Sequence, residues 1–423
     1  MSEFQPYFTN DGSVGLYSQD FDDIYHSASG ALTEAYEKFI YPINWEVLLN
    51  HEDIKILDIC YGIGYNTKSF LNFIFENRKK LINLKEKIKK NIYQVSNKYE
   101  AIYTDNIITN ESTNYIETIH TNNIFDKISV TAIDNDEILF GLSPFIKTGV
   151  KNFKNNSDIL HKHDINKYLN HRNKKFPKIN DFINFQILTK IAQNCPKILE
   201  NPLILPILDD KEHCTYFISD FKGLLKYVLT NKPNCNKLLN LHNIYYRYLS
   251  YSYKRGLKRY KIQDFDFSIK IDDARNVIKD DKNLYNLIFL DAFTPSKCPC
   301  LWTYEFFERL YEIMEQDGML FTYSSAAQIR AAMVEAGFEI GNIYNERLNK
   351  FQGTVAVKNK ALINHPISEA DLGLLKTRAG IFYRDENLTA QNEAIIAVHK
   401  TEVENSHRIS SSQYLKTRRK NEL

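Results

Sequence analysis

The chain has 423 residues, of which 43% are hydrophobic and 25% charged, and its 54 Lys and Arg residues nearly balance its 52 Asp and Glu residues. A composition of this kind excludes a wholly disordered chain and predicts a folded protein of two or three domains. The net charge of +2 by itself excludes neither nucleic acids nor small acidic molecules as partners.

The first predicted elements open an α/β unit. Apolar residues at helical spacing predict a helix over residues 31–40 that ends before Pro42. Residues 54–59 predict a short buried strand, and the turn Tyr61-Gly62-Ile63-Gly64 and a helix from near Asn66 follow it. A strand, a glycine turn and a helix in this order are typical of a doubly wound, Rossmann-like α/β sheet.

The alternation of strands and helices continues around two interruptions. We predict insertions at residues 79–125, a surface helix and loop, and within 143–261, a mainly helical stretch rich in Asn and Lys. The chain then divides into an N-terminal extension that packs on the core (1–45), a core (46–360) and a C-terminal segment with a basic tail (361–423). The remaining predicted elements are strands at 128–133, 265–271, 284–290, 319–323, 338–340 and 353–357 and helices at 303–315 and 325–336.

Four predicted strands end in an acidic residue at the carboxyl edge of the sheet, where open α/β sheets bind their ligands. A single aspartate at such a place more often caps the following helix. Four of them in register favour a binding site instead. These residues are Asp58, Asp134, Asp273 and Asp291.

The chemistry of this edge favours a nucleoside without phosphates. Thr67 occupies the third glycine position of the dinucleotide-binding pattern, which disfavours a bound pyrophosphate. Asp58 suits a cationic amino group, Asp134 a ribose diol, and Asp273 with Ala274 the exocyclic amine of adenine. Those groups together describe S-adenosylmethionine. The predicted cofactor site comprises Asp58, Gly62, Gly64, Asn66, Asp134, Asp273, Ala274 and Asp291.

Several separate motifs occur in an order that a known family shares. They are Asp11-Gly12-Ser13, Tyr25-His26-Ser27, Gly30-Ala31-Leu32 with Glu34, Asp58-x-x-x-Gly62-x-Gly64-x-Asn66, Asp273-Ala274-Arg275, Asp291-Ala292-Phe293-x-Pro295-x-Lys297, Leu301-Trp302-Thr303 and Glu335-Ala336-Gly337-Phe338. Over residues 7–74, 126–142 and 262–400 the chain thereby resembles the MnmC/MnmD-type tRNA methyltransferases. It departs from them at Cys60, where the family usually has a glycine, and at Cys298, where Asn usually follows the lysine.

The resemblance implies the methyltransferase part of this family, without its flavin-dependent oxidase domain, on a class I S-adenosylmethionine-dependent fold. It implies methyl transfer to the amine of 5-aminomethyl(-2-thio)uridine at the tRNA wobble position. The implied partners are tRNA and a separate flavoprotein or upstream wobble-uridine modification enzymes. Six scattered cysteines favour reduced thiols, and neither a signal peptide nor a membrane-length apolar stretch is visible, so we expect a cytoplasmic protein.

The same resemblance assigns roles to individual residues. Asp291 is the expected catalytic residue, a carboxylate that accepts a proton from the substrate amine and orients its lone pair; the alternative is that it only caps the helix after the loop. Phe293 and Trp302 can each stack on adenine or on the flipped base or else belong to the core, and for Trp302 the core is favoured. The expected substrate contacts are Tyr25, His26, Phe293, Pro295 and Lys297.

Contacts with RNA phosphates require basic residues. The candidates are residues 78–90, 245–259 and 416–420, and each run can equally be a solvated surface. We rank 245–259 first because aromatic and basic residues alternate there, and it supplies Arg255 and Arg259 as predicted substrate contacts. No metal site is predicted, because Cys298-Pro299-Cys300 lacks a second pair of ligands.

Two other functions remain open from the sequence. An aminopropyltransferase of the spermidine-synthase type shares such a sheet and its acidic strand ends, although the Asp291–Lys297 loop motif argues against it. A non-catalytic RNA-binding protein that keeps the fold is the alternative outside enzymes, although all four strand-end aspartates are intact.

Overall fold

The computed structural model describes residues 4–9, 11, 13–18, 23–24, 30–103, 123–136, 139, 143 and 262–421. Apart from residue 143, the predicted insertion at 143–261 lies outside these residues. A small antiparallel sheet of three strands precedes the core, with β1 at Phe4–Phe8, β2 at Val14–Ser18 and β3 at Asp23–Ile24.

The core alternates strands and helices in the order predicted. The helices are α1 (Ala31–Ala35, which continues as a π-type turn over Tyr36–Ile40), α2 (Trp45–Leu48), α3 (Tyr65–Tyr103), α4 (Ala274–Lys279), α5 (Tyr304–Glu312), α6 (Ala327–Glu335), α7 (Glu369–Leu375), α8 (Asn392–Asn405) and α9 (Ser411–Asn421). The strands are β4 (Asp53–Ile59), β5 (Phe125–Asp134), β6 (Ile262–Ile271), β7 (Tyr285–Leu290), β8 (Met314–Thr322), β9 (Glu339–Asn345) and β10 (Lys350–Val357).

These seven strands form one sheet in the order β6-β5-β4-β7-β8-β10-β9. Strands β4 to β8 pair in parallel, and β10 is antiparallel to both of its neighbours. The strand order reverses between β4 and β7, which opens a crevice at their carboxyl ends. The predicted doubly wound α/β sheet is confirmed.

Helices cover both faces of the sheet. On one face α1 and α3 bury residues such as Phe39 and Phe70, and on the other α5 and α6 bury Phe306 and Ile329. All six residues of β7 are buried as a result. A strand covered on both faces must be apolar throughout, which is why its sequence is a continuous apolar run.

Several boundaries differ from the sequence prediction, and three of these differences change the description of the core. Helix α5 ends at Glu312 rather than 315, and β8 begins at Met314 rather than 319. The pairing of β7 with β8 changes register between Tyr285 and Leu287. The first residues of β8 therefore include exposed and charged positions as well as Gly318, and this composition hides a strand in the sequence.

The predicted insertion at 79–125 is the third difference. Helix α3 runs through its first part without a break, and Leu81 and Lys85 are buried there. The Lys85 ammonium donates to a Glu52 carboxylate oxygen at 2.8 Å and to the Ile124 carbonyl at 2.7 Å. Phe125 is the first residue of β5 and fully buried. Both ends of the predicted insertion are thus parts of the core.

Among the described residues, no helix has the length and apolar character needed to span a membrane.

Candidate active site

Three residues in the turn after β4 have backbone torsion angles in the left-handed region. Cys60, Gly62 and Gly64 have φ values of 59°, 57° and 83°. A Cβ atom on Gly64 would lie 2.3 Å from the Tyr61 hydroxyl oxygen, so only glycine fits there. Cys60 adopts this conformation without being glycine. The Tyr61 ring packs against this turn and against Phe267.

Asp58, at the end of β4, is fully buried. Its Oδ2 accepts hydrogen bonds from the Thr67 amide at 3.2 Å and the Thr67 hydroxyl at 2.5 Å, so it caps α3. Its Oδ1 is buried and has no hydrogen-bond partner among the described residues. Burial raises the pKa of Asp58 to about 8, and the charges of Asp291 and Asp134 raise it too. One oxygen therefore serves the fold, and the other remains available to a cationic ligand.

Asp134, at the end of β5, ties the glycine turn to its neighbouring strand. Its Oδ2 accepts from the Gly62 amide at 2.8 Å and its Oδ1 from the Asp136 amide at 2.9 Å. Burial raises the pKa of this carboxyl to about 7, although the backbone amides lower it. Each oxygen keeps a second lone pair that can accept from a ribose hydroxyl.

Asp273, after β6, has a different environment from the other three aspartates. It caps α4 by accepting from the Arg275 amide, and the Arg275 guanidinium contacts both of its oxygens at 2.7–3.2 Å. Arg275 also bridges to Asp385 at 2.8 Å, and its positive charge holds the pKa of Asp273 below its usual range. The expected contact of Asp273 and Ala274 with adenine stays a prediction.

Asp291 lies where the sheet order reverses, directly after β7. Its amide donates to the Ile59 carbonyl at 3.3 Å, and its Oδ2 accepts from the Asn66 amide group at 3.0 Å. Asn66 is buried, and its own Oδ1 has no hydrogen-bond partner among the described residues. The pKa of Asp291 is raised to about 7 by burial and by the charge of Glu34, against opposing effects of Asn66 and Lys38.

Glu34 therefore belongs to this site, although the sequence analysis gave it no role. It lies in the first turn of α1 and forms an ion pair with Lys38 one turn later. In the sequence, Glu34 was noted only as part of the motif Gly30-Ala31-Leu32 with Glu34. Its effect on Asp291 depends on the tertiary structure, which the sequence does not reveal.

The N-terminus of α1 is held by residues from the preceding small sheet. Asp11 Oδ2 accepts from the Thr33 amide at 2.7 Å, and Ser13 Oγ accepts from the Ala31 amide at 2.9 Å. Gly30 has a φ of 132°, and a Cβ atom there would lie 2.0 Å from Asp11 Oδ2. The motif residues Asp11, Ser13 and Gly30 thus fix the helix that carries Glu34.

Two aromatic side chains hold the loop after Asp291 by hydrogen bonds to its backbone. The Trp302 indole donates to the Phe293 carbonyl at 2.9 Å, and the Tyr323 hydroxyl donates to the Ala292 carbonyl at 2.9 Å. Trp302 is fully buried, which confirms its expected place in the core. Phe293 and Pro295 are half-buried and Lys297 is exposed, so this loop borders the crevice.

The thiols of Cys298 and Cys300 lie 3.6 Å apart in the same loop. A third cysteine, Cys60, lies in the turn after β4, and burial raises the pKa of its thiol. Within the described part of the chain, no group of three or more His, Cys, Asp or Glu residues is arranged to hold a metal.

The structure brings most of the predicted cofactor site into one crevice between β4 and β7. Asp58, Asn66 and Asp291 interact there directly or through their charges, with the glycine turn and Asp134 beside them. The predicted substrate contacts Tyr25, His26, Arg255 and Arg259 lie outside the described residues.

Comparisons with known proteins agree with this geometry. Residues 238–359 match a family described as S-adenosyl-L-methionine-dependent methyltransferase. The uncharacterized protein MJ0670 of Methanocaldococcus jannaschii is 37% identical over 140 residues, which are 32% of this chain and 38% of that protein. The bifunctional protein MnmC of Aliivibrio fischeri, named for tRNA 5-methylaminomethyl-2-thiouridine biosynthesis, is 28% identical over 90 residues, which are 21% of this chain and 13% of that protein.

The matched regions therefore span well under half the length of these relatives. The crystal structure of MnmC2 from Aquifex aeolicus is similar with a TM-score of 0.51 and 18% identity, covering 96% of this chain and 87% of that one. This likeness shows a shared fold, and the matched family has S-adenosyl-L-methionine as its cofactor. Residues 238–359 thus match the S-adenosyl-L-methionine-dependent methyltransferase family, and part of the chain is similar to the MnmC proteins.

Proposed function

We propose that the protein methylates the amine of 5-aminomethyl(-2-thio)uridine at the wobble position of tRNA, giving the 5-methylaminomethyl nucleoside. The observation that carries the proposal is the carboxylate Asp291, which has a pKa of about 7 and lies at the switch point of a methyltransferase sheet. The names of the MnmC relatives support tRNA as the substrate.

The residues of the crevice fit the cofactor. Asp58 has a buried oxygen without a partner among the described residues, and such an acceptor suits a cationic amino group. The turn with Gly62 and Gly64 allows close approach of the backbone, and Asp134 has lone pairs for a ribose. When bound, S-adenosyl-L-methionine supplies a methyl group on a positively charged sulfur.

The chain's own part in the reaction is to hold and deprotonate the acceptor. A primary amine is protonated at neutral pH, and an ammonium has no lone pair for methylation. Asp291 is about half ionised near neutral pH because of its raised pKa, so it can accept that proton. Asn66 fixes the carboxylate by donating to its Oδ2. Phe293, Pro295 and Lys297 lie in the next positions of the loop and are the proposed contacts with the nucleotide.

The partners remain those that the relatives suggest. We assign tRNA contacts to Tyr25 and His26 and to the basic residues Arg255 and Arg259. The aminomethyl group must be built by other enzymes before this step, and a separate flavoprotein is one candidate. A reaction on tRNA also requires the compartment where tRNA is modified, which favours the cytoplasm.

Mass analysis of nucleosides tests the proposal. The protein is incubated with S-adenosyl-L-methionine and tRNA whose wobble uridine carries aminomethyl, and we expect a gain of one methyl group on that nucleoside. Asp291→Ala should lower the rate by about 100-fold or more, because it removes the proton acceptor. The exposed Asp280→Ala is the matched control and should retain the wild-type rate.

Binding of S-adenosylhomocysteine separates the possible failures. At about one hundred times its Kd, a ligand adds about 2.7 kcal/mol to the free energy of unfolding. A stabilised wild-type protein that leaves the tRNA unchanged would refute the proposed acceptor. A protein that this ligand does not stabilise would refute the cofactor site as well.

A further inference from the structure

An ion pair lies beside the loop that begins at Asp291, because Tyr323, which Lys38 contacts, donates to the Ala292 carbonyl. Glu34 and Lys38 are one helical turn apart, and their side chains are only 12% and 18% exposed. The Lys38 ammonium also lies over the Tyr323 ring, 5.3 Å from its centroid. A pair this well covered is unlike the surface pair Lys400–Glu404 on α8, whose side chains are 75% and 64% exposed.

Most of the titratable groups around Asp291 are acids. Glu34 raises the pKa of Asp291 and Lys38 lowers it. Asp58 and Cys60, from the turn on the other side, also interact with Asp291, and Asp134 interacts with both of them. Lys38 is the single cation among these described groups, so the crevice has an excess of carboxylates that favours a further cation.

We propose that Glu34 and Asp291 together bind the ammonium form of the acceptor amine, and that Lys38 neutralises Glu34 until this amine arrives. The inference rests on the proposed function, because the aminomethyl group is the cation it names. Lys38 and an aminomethyl group are both primary ammonium ions, so each can satisfy the same carboxylate.

The hydrogen-bonding capacity of the site matches this ligand. A primary ammonium has three N–H donors. Glu34 and Asp291 each carry a carboxyl group that can accept, that of Glu34 in exchange for Lys38, and Asn66 Oδ1 is a buried acceptor without a partner among the described residues. Transfer of one proton from nitrogen to Asp291 leaves a neutral amine with its lone pair, a protonated carboxyl group and an ionised Glu34.

The pH dependence of kcat/KM tests the inference, because its acid limb reports the pKa of the free enzyme's base. The Glu34 charge raises the pKa of Asp291, so Glu34→Gln should move the acid limb to lower pH. The Lys38 charge lowers it, so Lys38→Met should move the limb to higher pH. We expect each shift to be about half a pH unit or more.

The magnitude of kcat/KM gives a second readout. Glu34→Gln should lower its plateau by about tenfold or more, because one of the two carboxylates that hold the amine is lost. The affinity for S-adenosylhomocysteine should be unchanged in both variants, which also shows that they fold. Glu34→Asp keeps the charge and should leave the acid limb in place.

The pair Lys400–Glu404 supplies the matched controls, because it has the same spacing and both of its side chains are exposed. Lys400→Met and Glu404→Gln should leave both the plateau and the limb unchanged. An active wild-type enzyme whose acid limb is unmoved, or moves the same way in both crevice variants, overturns this inference and leaves the proposed function standing. A wild-type enzyme without methylation activity overturns both.

Discussion

At the scale of single residues, the crevice is built from carboxyl groups that burial makes harder to ionise. Asp58, Asp134 and Asp291 all have a raised pKa, and for each the largest cause is burial. Such groups cost stability when they are ionised in the folded protein. Asp58 shows the conflict best, since one of its oxygens caps α3 and the other has no partner among the described residues.

Replacing Asp58 with Asn should therefore stabilise the protein in a pH-dependent way. The folded-state pKa of Asp58 is about 8, above its ordinary value of 3.8. Stability from the protonated carboxyl is thus complete below pH 3.8 and declines as the pH rises toward 8. Asp58→Asn lacks this decline and should gain about 1–2 kcal/mol over the wild type at pH 8, measured by urea unfolding at pH 5 and pH 8.

The same variant should bind S-adenosylhomocysteine more weakly, because the amide cannot offer a charged acceptor. Asp280→Ala, on the surface, should show neither effect. An Asp58→Asn protein that is no more stable at pH 8 than at pH 5, relative to the wild type, would contradict the assigned burial cost.

At the scale of elements, α1 owes its position to residues outside the helix. Asp11 and Ser13 accept hydrogen bonds from its first amides, as an N-cap would, but they reach it from the small antiparallel sheet. Because Glu34 lies in the first turn, we expect a change in this cap to displace the carboxylate whose charge acts on Asp291.

Asp11→Ala should lower the free energy of unfolding by about 1–2 kcal/mol, the usual cost of a lost cap. It should also lower methylation activity while leaving the affinity for S-adenosylhomocysteine unchanged. Ser368→Ala is the matched control, because Ser368 caps α7 by accepting from the Asp371 amide. It should cost similar stability and no activity, and equal loss of activity in both variants would refute the special role of the α1 cap.

Elements of this kind differ in how well a sequence reveals them. Strand β7 was predictable because a strand buried on both faces is a largely continuous apolar run, and Asp291 follows it directly. The start of β8 was not predictable, because the strand contains charged residues and Gly318 where its pairing with β7 changes register. The partners of Asp273 were also hidden, since Arg275 draws in Asp385 from a distant segment.

At the scale of the whole molecule, the site depends on the reversal of strand order between β4 and β7. The turn after β4 and the loop after β7 meet there, and Glu34 and Lys38 of α1 act on Asp291 through their charges. The sequence predicted the sheet and four of its acids, but it could not show that α1 adds a fifth carboxylate. That contact depends on tertiary packing of a helix against the sheet.

The strand order also bears on how the chain folds. Strand β5 ends at Asp134 and β6 begins at Ile262, yet the two pair in register along their whole length. Bringing together two strands so far apart in the sequence costs chain entropy, and their hydrogen bonds form only after that cost. We therefore expect β6 to join the sheet after the rate-limiting step of folding. We expect Phe265→Ala in β6 to accelerate unfolding with little change in the refolding rate, whereas Leu287→Ala in central β7 slows refolding. Stopped-flow kinetics in urea can measure both, and slower refolding of Phe265→Ala would place β6 in the nucleus.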